Sequence, residues 1–255
     1  MDLQHSHCLI TGAASGLGEG VARALVNQGA KVVLADLNEE RGQAIANELG
    51  DNALFIRTDI TDESQARAAI DLVQSRWGHL NVLVNCAGIP GGARVLGRKG
   101  IHDLAQFQQM INVNLVGTFN MIRLGAEAMQ HAPANDGLEQ GVIINTASVA
   151  AYDGQIGQAA YSASKGGIAS MTLPIARELA AFGIRVMTIA PGLFKTPMMA
   201  VLPEEVQKSL GESVPFPARL GEASEFAALV QHIVENPMLN GEVIRLDGAL
   251  RMAAR

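Results

Sequence analysis

The sequence predicts an α/β fold, a single domain built around a parallel sheet, and three observations carry that reading. Short apolar runs alternate with longer stretches of helical periodicity, the pattern of repeated βαβ units. Hydrophobic residues make up 48% of the chain and aromatic residues only 4%, so the core is aliphatic, with Ala, Val, Leu and Ile packed among 27 glycines. The chain of 255 residues contains neither an internal repeat nor a low-complexity linker, so residues 1–255 form one domain, as open α/β sheets of this size commonly do.

The elements follow in order. Strands are predicted at 7–11, 31–36, 53–58, 80–86, 141–146, 185–190 and 242–246, each a short apolar run. Helices are predicted at 16–28, 39–49, 62–76, 103–129, 158–181 and 222–235, where apolar residues recur at helical spacing. Each crossover is long enough to lay a helix on the sheet, which gives a Rossmann-type, doubly wound domain with a seven-stranded, mostly parallel sheet and helices on both faces. Two stretches read as irregular: 89–101, rich in Gly and Arg, and 193–221, which carries Pro197, Pro203, Pro215 and Pro217. Long irregular connections in compact domains often cover a binding site, so 193–221 is a candidate substrate lid.

Charge and composition exclude several function classes. With 25 acidic against 19 basic residues, a net charge of -6 removes the uniform attraction on which nucleic-acid binding rests. No apolar run reaches the roughly 18 residues of a membrane span, so neither a nucleic-acid nor a membrane partner is expected. His5, His7, His79, His102, His131 and His232 show no metal-ligand spacing, and Cys8 and Cys86 complete no such set, so no metal is expected. The two cysteines lie in apolar runs and read as reduced core thiols. Only residues 1–7 precede the first apolar run, too few for a targeting segment. The expected compartment is cytoplasmic, with the mitochondrial matrix as the eukaryotic alternative.

Gly12, Asp36, Asp59, Asn85, Ser148 and Pro191 all fall at the carboxyl ends of predicted strands, the edge where open α/β sheets bind ligands. Isolated Gly and Asp at strand ends are ordinary turn chemistry, but six coinciding ends imply one site. Thr11-Gly12-Ala13-Ala14-Ser15-Gly16-Leu17-Gly18 lies between the first strand and a helix. Glycines there let the backbone approach a pyrophosphate, whose charge the helix N-terminus favours. Asp36 stands where a carboxylate accepts hydrogen bonds from an adenosine ribose and repels a 2′-phosphate. Neither the Ala13-Ala14-Ser15 turn nor Leu37 supplies a cation, so NAD is favoured over NADP; the competing reading of Asp36 is a turn residue capping the next helix.

Tyr161 and Lys165 are four residues apart, on one face of a predicted helix. An alcohol loses hydride readily only if its hydroxyl proton is taken, and a phenol with pKa ~10 is a poor base at neutral pH. A nearby ammonium stabilises the phenolate, so Lys165 is expected to bring Tyr161 toward a working pKa. Ser148, thirteen residues upstream of Tyr161, is placed to orient the substrate oxygen.

These motifs resemble the short-chain dehydrogenase/reductase family: the T-G-x-x-x-G-x-G turn, the Y-x-x-x-K pair and the upstream serine. The resemblance implies an oxidoreductase moving hydride between a nicotinamide cofactor and an alcohol/ketone pair. It implies a cofactor site comprising Gly12, Ser15, Gly16, Leu17, Gly18, Asp36, Asp59 and Ile60, then Cys86, Ala87 and Gly88, then Tyr161 and Lys165, and finally Pro191, Gly192, Phe194 and Thr196. Asn85-Cys86-Ala87-Gly88 is similar to the family's N-N-A-G turn, with Cys in the second place. Asp59 is either the family's adenine contact or a helix cap. Asn114 matches the fourth member of the catalytic set with Ser148, Tyr161 and Lys165, implying a water-linked proton relay; Asn112 competes for that place, and the N-x-x-G register of Asn114 with Gly117 decides for Asn114.

Residues 141–151, 157–167, 171–177, 183–194 and 239–249 resemble more narrowly an NAD-linked branch of the family. That branch acts on short or branched (S)-3-hydroxyacyl-CoA thioesters, usually as a homotetramer, and the chain departs from it at 89–103. The apolar segment 243–252 suits such an assembly. Met198, Met199, Leu202 and Phe216 are candidates for an adaptable apolar wall, or for core. Arg94, Arg98 and Lys99 are candidates for CoA phosphates, or are merely solvated. The alternatives are a hydroxysteroid or other secondary-alcohol dehydrogenase, a 3-oxoacyl carrier-protein reductase, and a non-enzymatic scaffold subunit.

Overall fold

A computed structural model describes residues 1–98, 100–132, 139–200 and 202–254. The first half runs β1 (His7–Thr11), α1 (Gly16–Asn27), β2 (Lys31–Asp36), α2 (Glu39–Leu49), β3 (Ala53–Arg57), α3 (Glu63–Trp77) and β4 (Val82–Asn85). A two-stranded hairpin of β5 (Leu96–Gly97) and β6 (Gly100–Ile101) precedes α4 (Leu104–Ile111), a π-helical turn at Asn112–Gly117, and α5 (Thr118–Met129). The second half contains β7 (Gly141–Thr146), α6 (Ala159–Leu179), β8 (Ile184–Pro191), α7 (Pro197–Ala200), α8 (Glu204–Glu212), α9 (Ala223–Glu235) and β9 (Val243–Leu246).

The long strands form one sheet in the order β3-β2-β1-β4-β7-β8-β9, with every pairing parallel. The chain winds outward from β1 to β3 and returns to the other side of β1 with β4, so the winding reverses between β1 and β4. In such sheets, ligands bind outside the strand ends at that reversal.

Strands buried on both faces read as continuous apolar runs, and successive side chains point to opposite faces. Cys8, Ile10, Val32 and Leu34 accordingly pack with Val21 and Leu25 of α1 and Phe226 and Val230 of α9. Leu9, Val33, Leu83 and Ile143 pack on the other side with Ile70, Val73, Met121 and Met129 of α3 and α5 and Leu179 of α6. Burying about 100 Å² of apolar side chain stabilises by roughly 2.5 kcal/mol, so these two layers fix where every strand ends.

The structure departs from the sequence-based expectation in three places. The helix expected over 103–129 is divided by the π-helical turn, which hydropathy cannot reveal because the apolar pattern continues through it. The stretches expected to be irregular contain the β5–β6 hairpin and the short helices α7 and α8. Pro191, expected to lie just past a strand, is the last residue of β8, where it pairs with Leu246 of the edge strand β9.

Candidate active site

The carboxyl edge of the sheet opens into a cleft of about 780 Å³. Gly12, Ser15, Gly16, Leu17 and Gly18 line it from the turn after β1, and Asp36, Asp59 and Ile60 from the ends of β2 and β3. Cys86, Ala87 and Gly88 follow from β4, and Pro191, Gly192, Phe194 and Thr196 from the end of β8. Asn85 is the exception among the anticipated strand ends: it is buried, and its Nδ2 donates to Asn145 Oδ1 at 2.9 Å across the β4–β7 pair.

Backbone geometry explains the glycines. Gly12 has φ +66°, and a Cβ there would lie 2.7 Å from the Ala87 nitrogen, so only glycine lets the turns after β1 and β4 meet. A Cβ on Gly88 would sit 3.1 Å from Asn114 Oδ1 and 3.5 Å from Lys165 Nζ, so the cleft floor has no room for a side chain there. Gly16, the first residue of α1, approaches Thr196, which brings the segment after β8 down onto the same turn. A cradle that a Cβ would fill, beside a helix N-terminus and a strand-end carboxylate, fits a nicotinamide dinucleotide.

Asp36 does not cap α2. Asn38 does so by accepting from Arg41 N at 3.0 Å, whereas Asp36 accepts from Ala14 N at 2.9 Å and Asn38 N at 3.0 Å and thereby ties the glycine turn to the end of β2. Asp59 is not a helix cap either. Its Oδ1 accepts from Thr61 N at 2.9 Å and Thr61 Oγ1 at 2.7 Å, and Asp62 caps α3 through Ser64 N and Gln65 N. Cys86 corrects the core-thiol expectation, since it lines the cleft, with burial pushing its thiol up to about 11. Cys8 is fully buried in the core, as expected.

Ser148 lies just beyond the end of β7, and Tyr161 and Lys165 stand one turn apart on α6; all three line the cleft. Lys165, only 5% exposed, donates from Nζ to Thr146 O at 2.8 Å and lies 5.9 Å from the centre of the Tyr161 ring. Burial brings its ammonium down to about 8. The expectation that Lys165 lowers the Tyr161 pKa is not what dominates: burial raises the phenol, and the opposing influence is its hydrogen bond with Ser148. Ser148 Oγ also accepts from Ala150 N at 3.1 Å, which holds the hydroxyl in place.

Asn114 sits in the π-helical turn, wholly buried, whereas Asn112 is exposed. Its Oδ1 accepts from Ile89 N at 2.8 Å and its Nδ2 donates to Ile89 O at 3.1 Å and Ser164 Oγ at 3.2 Å. Its carbonyl accepts from Thr118 Oγ1 at 2.7 Å. Asn114 does not line the cleft, and its bonds fasten the segment after β4 to α6.

At the substrate end, Met199 and Leu210 of α7 and α8 line the cleft, with Gln155 and Gln158 before α6 and Met252 near the end of the chain. Met199 was anticipated. The other four carry no sequence signal, because a burial preference does not say whether a given Gln, Leu or Met faces a cleft, the core or solvent. Phe216 is 82% exposed and Leu202 is exposed too; neither lines the cleft, so neither forms the expected wall. Arg94 and Arg98 are exposed at the hairpin and also outside the lining. Lys99 and the side chain of Met198 lie outside the described residues.

A hydride-transfer site needs a dinucleotide cradle and a proton acceptor facing it, and both now stand on one sheet edge. Residues 6–207 match the short chain dehydrogenase family. The chain belongs to that family, and it is a dehydrogenase. It is 54% identical to the 3-hydroxyacyl-CoA dehydrogenase type-2 of Drosophila melanogaster, over 98% of this chain and 99% of that protein. Its fold is similar to the crystal structure of 3-hydroxyacyl-CoA dehydrogenase type-2 from Mycobacterium avium, with a TM-score of 0.96 and 41% identity over 99% of this chain and 98% of that one. It is also similar to the 3-ketoacyl-(acyl-carrier-protein) reductase of Brucella melitensis complexed with NADH, with a TM-score of 0.87 and 31% identity over 97% and 98% of the two chains.

Proposed function

We propose that this dehydrogenase interconverts short or branched (S)-3-hydroxyacyl-CoA thioesters and their 3-oxo forms, using NAD. The observation that carries the reading is the convergence of Ser148, Tyr161 and Lys165 on a cleft whose other end holds Asp36. The relatives named 3-hydroxyacyl-CoA dehydrogenase support the substrate class.

Bound NAD supplies the hydride acceptor. Ser148 Oγ orients the substrate hydroxyl, and Tyr161, as phenolate, takes its proton; in the reverse direction the phenol returns the proton to the ketone oxygen. Lys165, held by Thr146 O, offers a fixed positive charge at the base of the phenol and toward the dinucleotide. Asp36 favours NAD because its carboxylate, anchored by two backbone N–H groups, would face a 2′-phosphate with like charge. The nearby Arg41 guanidinium is engaged by Glu19 at 3.0 Å, which reduces its use for such a phosphate.

Assembly as a homotetramer and a cytoplasmic setting belong to the same proposal. Leu104, Val116, Phe119 and Leu173 are exposed on α4 to α6, apolar surface of the kind that a second copy covers. Light scattering at micromolar concentration should give four copies, and a monomer would refute that part.

The deciding experiment follows NADH consumption with acetoacetyl-CoA-type thioesters, oxosteroids and simple ketones, alongside NADH and NADPH titrations. Thioesters should be turned over best, and NADH should bind at least about tenfold tighter than NADPH, a preference that Asp36→Ala narrows. Equal affinities in the unmodified protein would sink the cofactor reading, and turnover confined to steroids or simple ketones would sink the substrate reading.

A further inference from the structure

One wall of the substrate end comes from neither a strand end nor the segment over the cleft. Met252 lines the cleft beside Gln155 and Gln158, half-buried rather than packed into the core. It belongs to the segment after β9, which begins with a sharp reversal. Gly248 has φ +59° and Ala249 has φ +66°, two successive left-handed residues. For alanine that conformation is disfavoured by its Cβ, so surrounding contacts must hold it.

Arg245 of β9 holds it. Its Nε donates to Asp247 Oδ2 at 2.7 Å, and its Nη2 donates to Asp153 Oδ2 at 2.5 Å and Leu250 O at 2.9 Å. The guanidinium lies 5.4 Å from the centre of the Tyr152 ring, a cation–π distance. Asp247 in turn accepts from Ala249 N at 3.0 Å and Arg251 Nη1 at 3.2 Å. Beyond Met252, Ile156 N donates to Ala254 O at 3.0 Å and Gln155 Nε2 to Ala253 O at 3.1 Å. Phe216 N donates to Gly248 O at 3.2 Å, which joins the reversal to the far end of the candidate lid.

Met252 is thus clamped from both sides, and the bonds that leave its own segment land on residues 152–156, shortly before the helix that carries Tyr161 and Lys165, or on the segment covering the cleft. Charge-assisted bonds of this kind are stronger than neutral ones, and several sharing one guanidinium fix a side chain's surroundings more tightly than a loop normally is. A methionine held there presents an unbranched, polarizable thioether that fills space without a fixed shape.

We propose that Met252 is a specificity-determining residue, packing against the acyl part of the substrate, and that Arg245 is the positioning residue that holds it in place. The inference rests on the dehydrogenase reading above. It assigns the size limit of the acyl group to the segment after β9 as well as to the lid.

The test compares Met252→Ala and Met252→Trp by measuring kcat/KM with a series of 3-oxoacyl-CoA thioesters of increasing length, and with a matched series of simple ketones. Met252→Ala should raise the long-to-short ratio about 5- to 20-fold and Met252→Trp should lower it, the scale that a few methylene-sized groups give in an apolar pocket. NADH affinity should stay within about twofold in both. Asp153→Asn, a mild change that weakens the Arg245 clamp without removing a strand residue, should move the ratio in the same direction as Met252→Ala but less. A Met252→Cys thiol should be alkylated by iodoacetamide, more slowly with NAD and a thioester bound than with NAD alone. Unchanged ratios in both Met252 variants, or alkylation indifferent to the thioester, would overturn the proposal. If the unmodified protein reduces only the simple ketones, the CoA reading fails while their length ratio still decides the role of Met252.

Discussion

The two ends of the cleft are built by different means. At the dinucleotide end the main chain makes the surface: Gly12 in a left-handed turn against Ala87, Gly88 against Asn114 and Lys165, and Asp36 held by two backbone N–H groups. At the substrate end, side chains from separate segments make it: Gln155 and Gln158, Met199 and Leu210, and Met252. A surface built this way tolerates little substitution, because an added Cβ at Gly12 or Gly88 meets neighbouring atoms at once. A surface of side chains can change its shape one residue at a time, which is how one fold serves many substrates.

The largest effect is expected where the two ends meet, at the reacting oxygen. Tyr161→Phe should lower kcat by about 10²- to 10⁴-fold while leaving NADH affinity within about twofold, as measured by steady-state rates and titration. Retained turnover would remove Tyr161 as proton acceptor.

Next comes the backbone end. Gly12→Ala forces a Cβ into a left-handed turn and against the Ala87 nitrogen, so it should destabilise by about 1–3 kcal/mol and weaken NADH at least about tenfold. Met199→Ala, a truncation at the side-chain end, should alter substrate ratios while sparing NADH affinity. Comparable losses of NADH affinity in the two variants would erase the distinction drawn above.

Lys165 links function to stability. Burial lowers its pKa from 10.5 to about 8, so the folded protein binds that proton less readily than the unfolded chain does. The cost is fully present below about pH 8 and fades as pH rises toward 10.5, amounting to about 3 kcal/mol at most. Lys165→Met should therefore abolish most turnover yet raise the melting temperature of the NAD-free protein by a few degrees, after about 1 kcal/mol is subtracted for the lost bond to Thr146 O. A lower melting temperature would mean that the ammonium is stabilising after all.

The smallest expected change is in a pH profile. Alcohol oxidation should rise with pH as Tyr161 ionises, and the Ser148 hydrogen bond is what opposes the upward pull of burial. Ser148→Ala should shift the rising limb to higher pH in addition to lowering the rate. An unmoved limb would show that Ser148 orients the substrate without tuning the phenol.

How much of this was legible in the sequence follows from the same contrast. Gly12, Gly16, Gly18, Asp36 and Ser148 were readable because strand ends are marked by short apolar runs, and Tyr161 and Lys165 because a four-residue spacing sets them on one helix face. All of them line the cleft. The substrate end was not legible: Phe216 looked like a wall and is exposed, while Met252 gave no sign of its place. Apolar residues in an irregular stretch carry no periodicity, so nothing in their order says which ones turn inward. Asn114 was found by its register with Gly117, but its bonds to Ile89 and Ser164 depend on the π turn, which leaves no mark in hydropathy.

That π turn also divides the long helical stretch into two phases. An α-helix advances about 100° per residue, so one additional residue in a turn rotates everything before it by about that angle relative to everything after it. Met110 is buried on α4, and Met121, Ile122 and Leu124 are buried on α5. Asn114 lies at the joint between them. The stretch therefore behaves like a coupling between two shafts set at different angles. Deleting one residue from 112–117 would be far more disruptive than substituting any of them, since α4 would have to swing its face away from the cleft for α5 to keep its own.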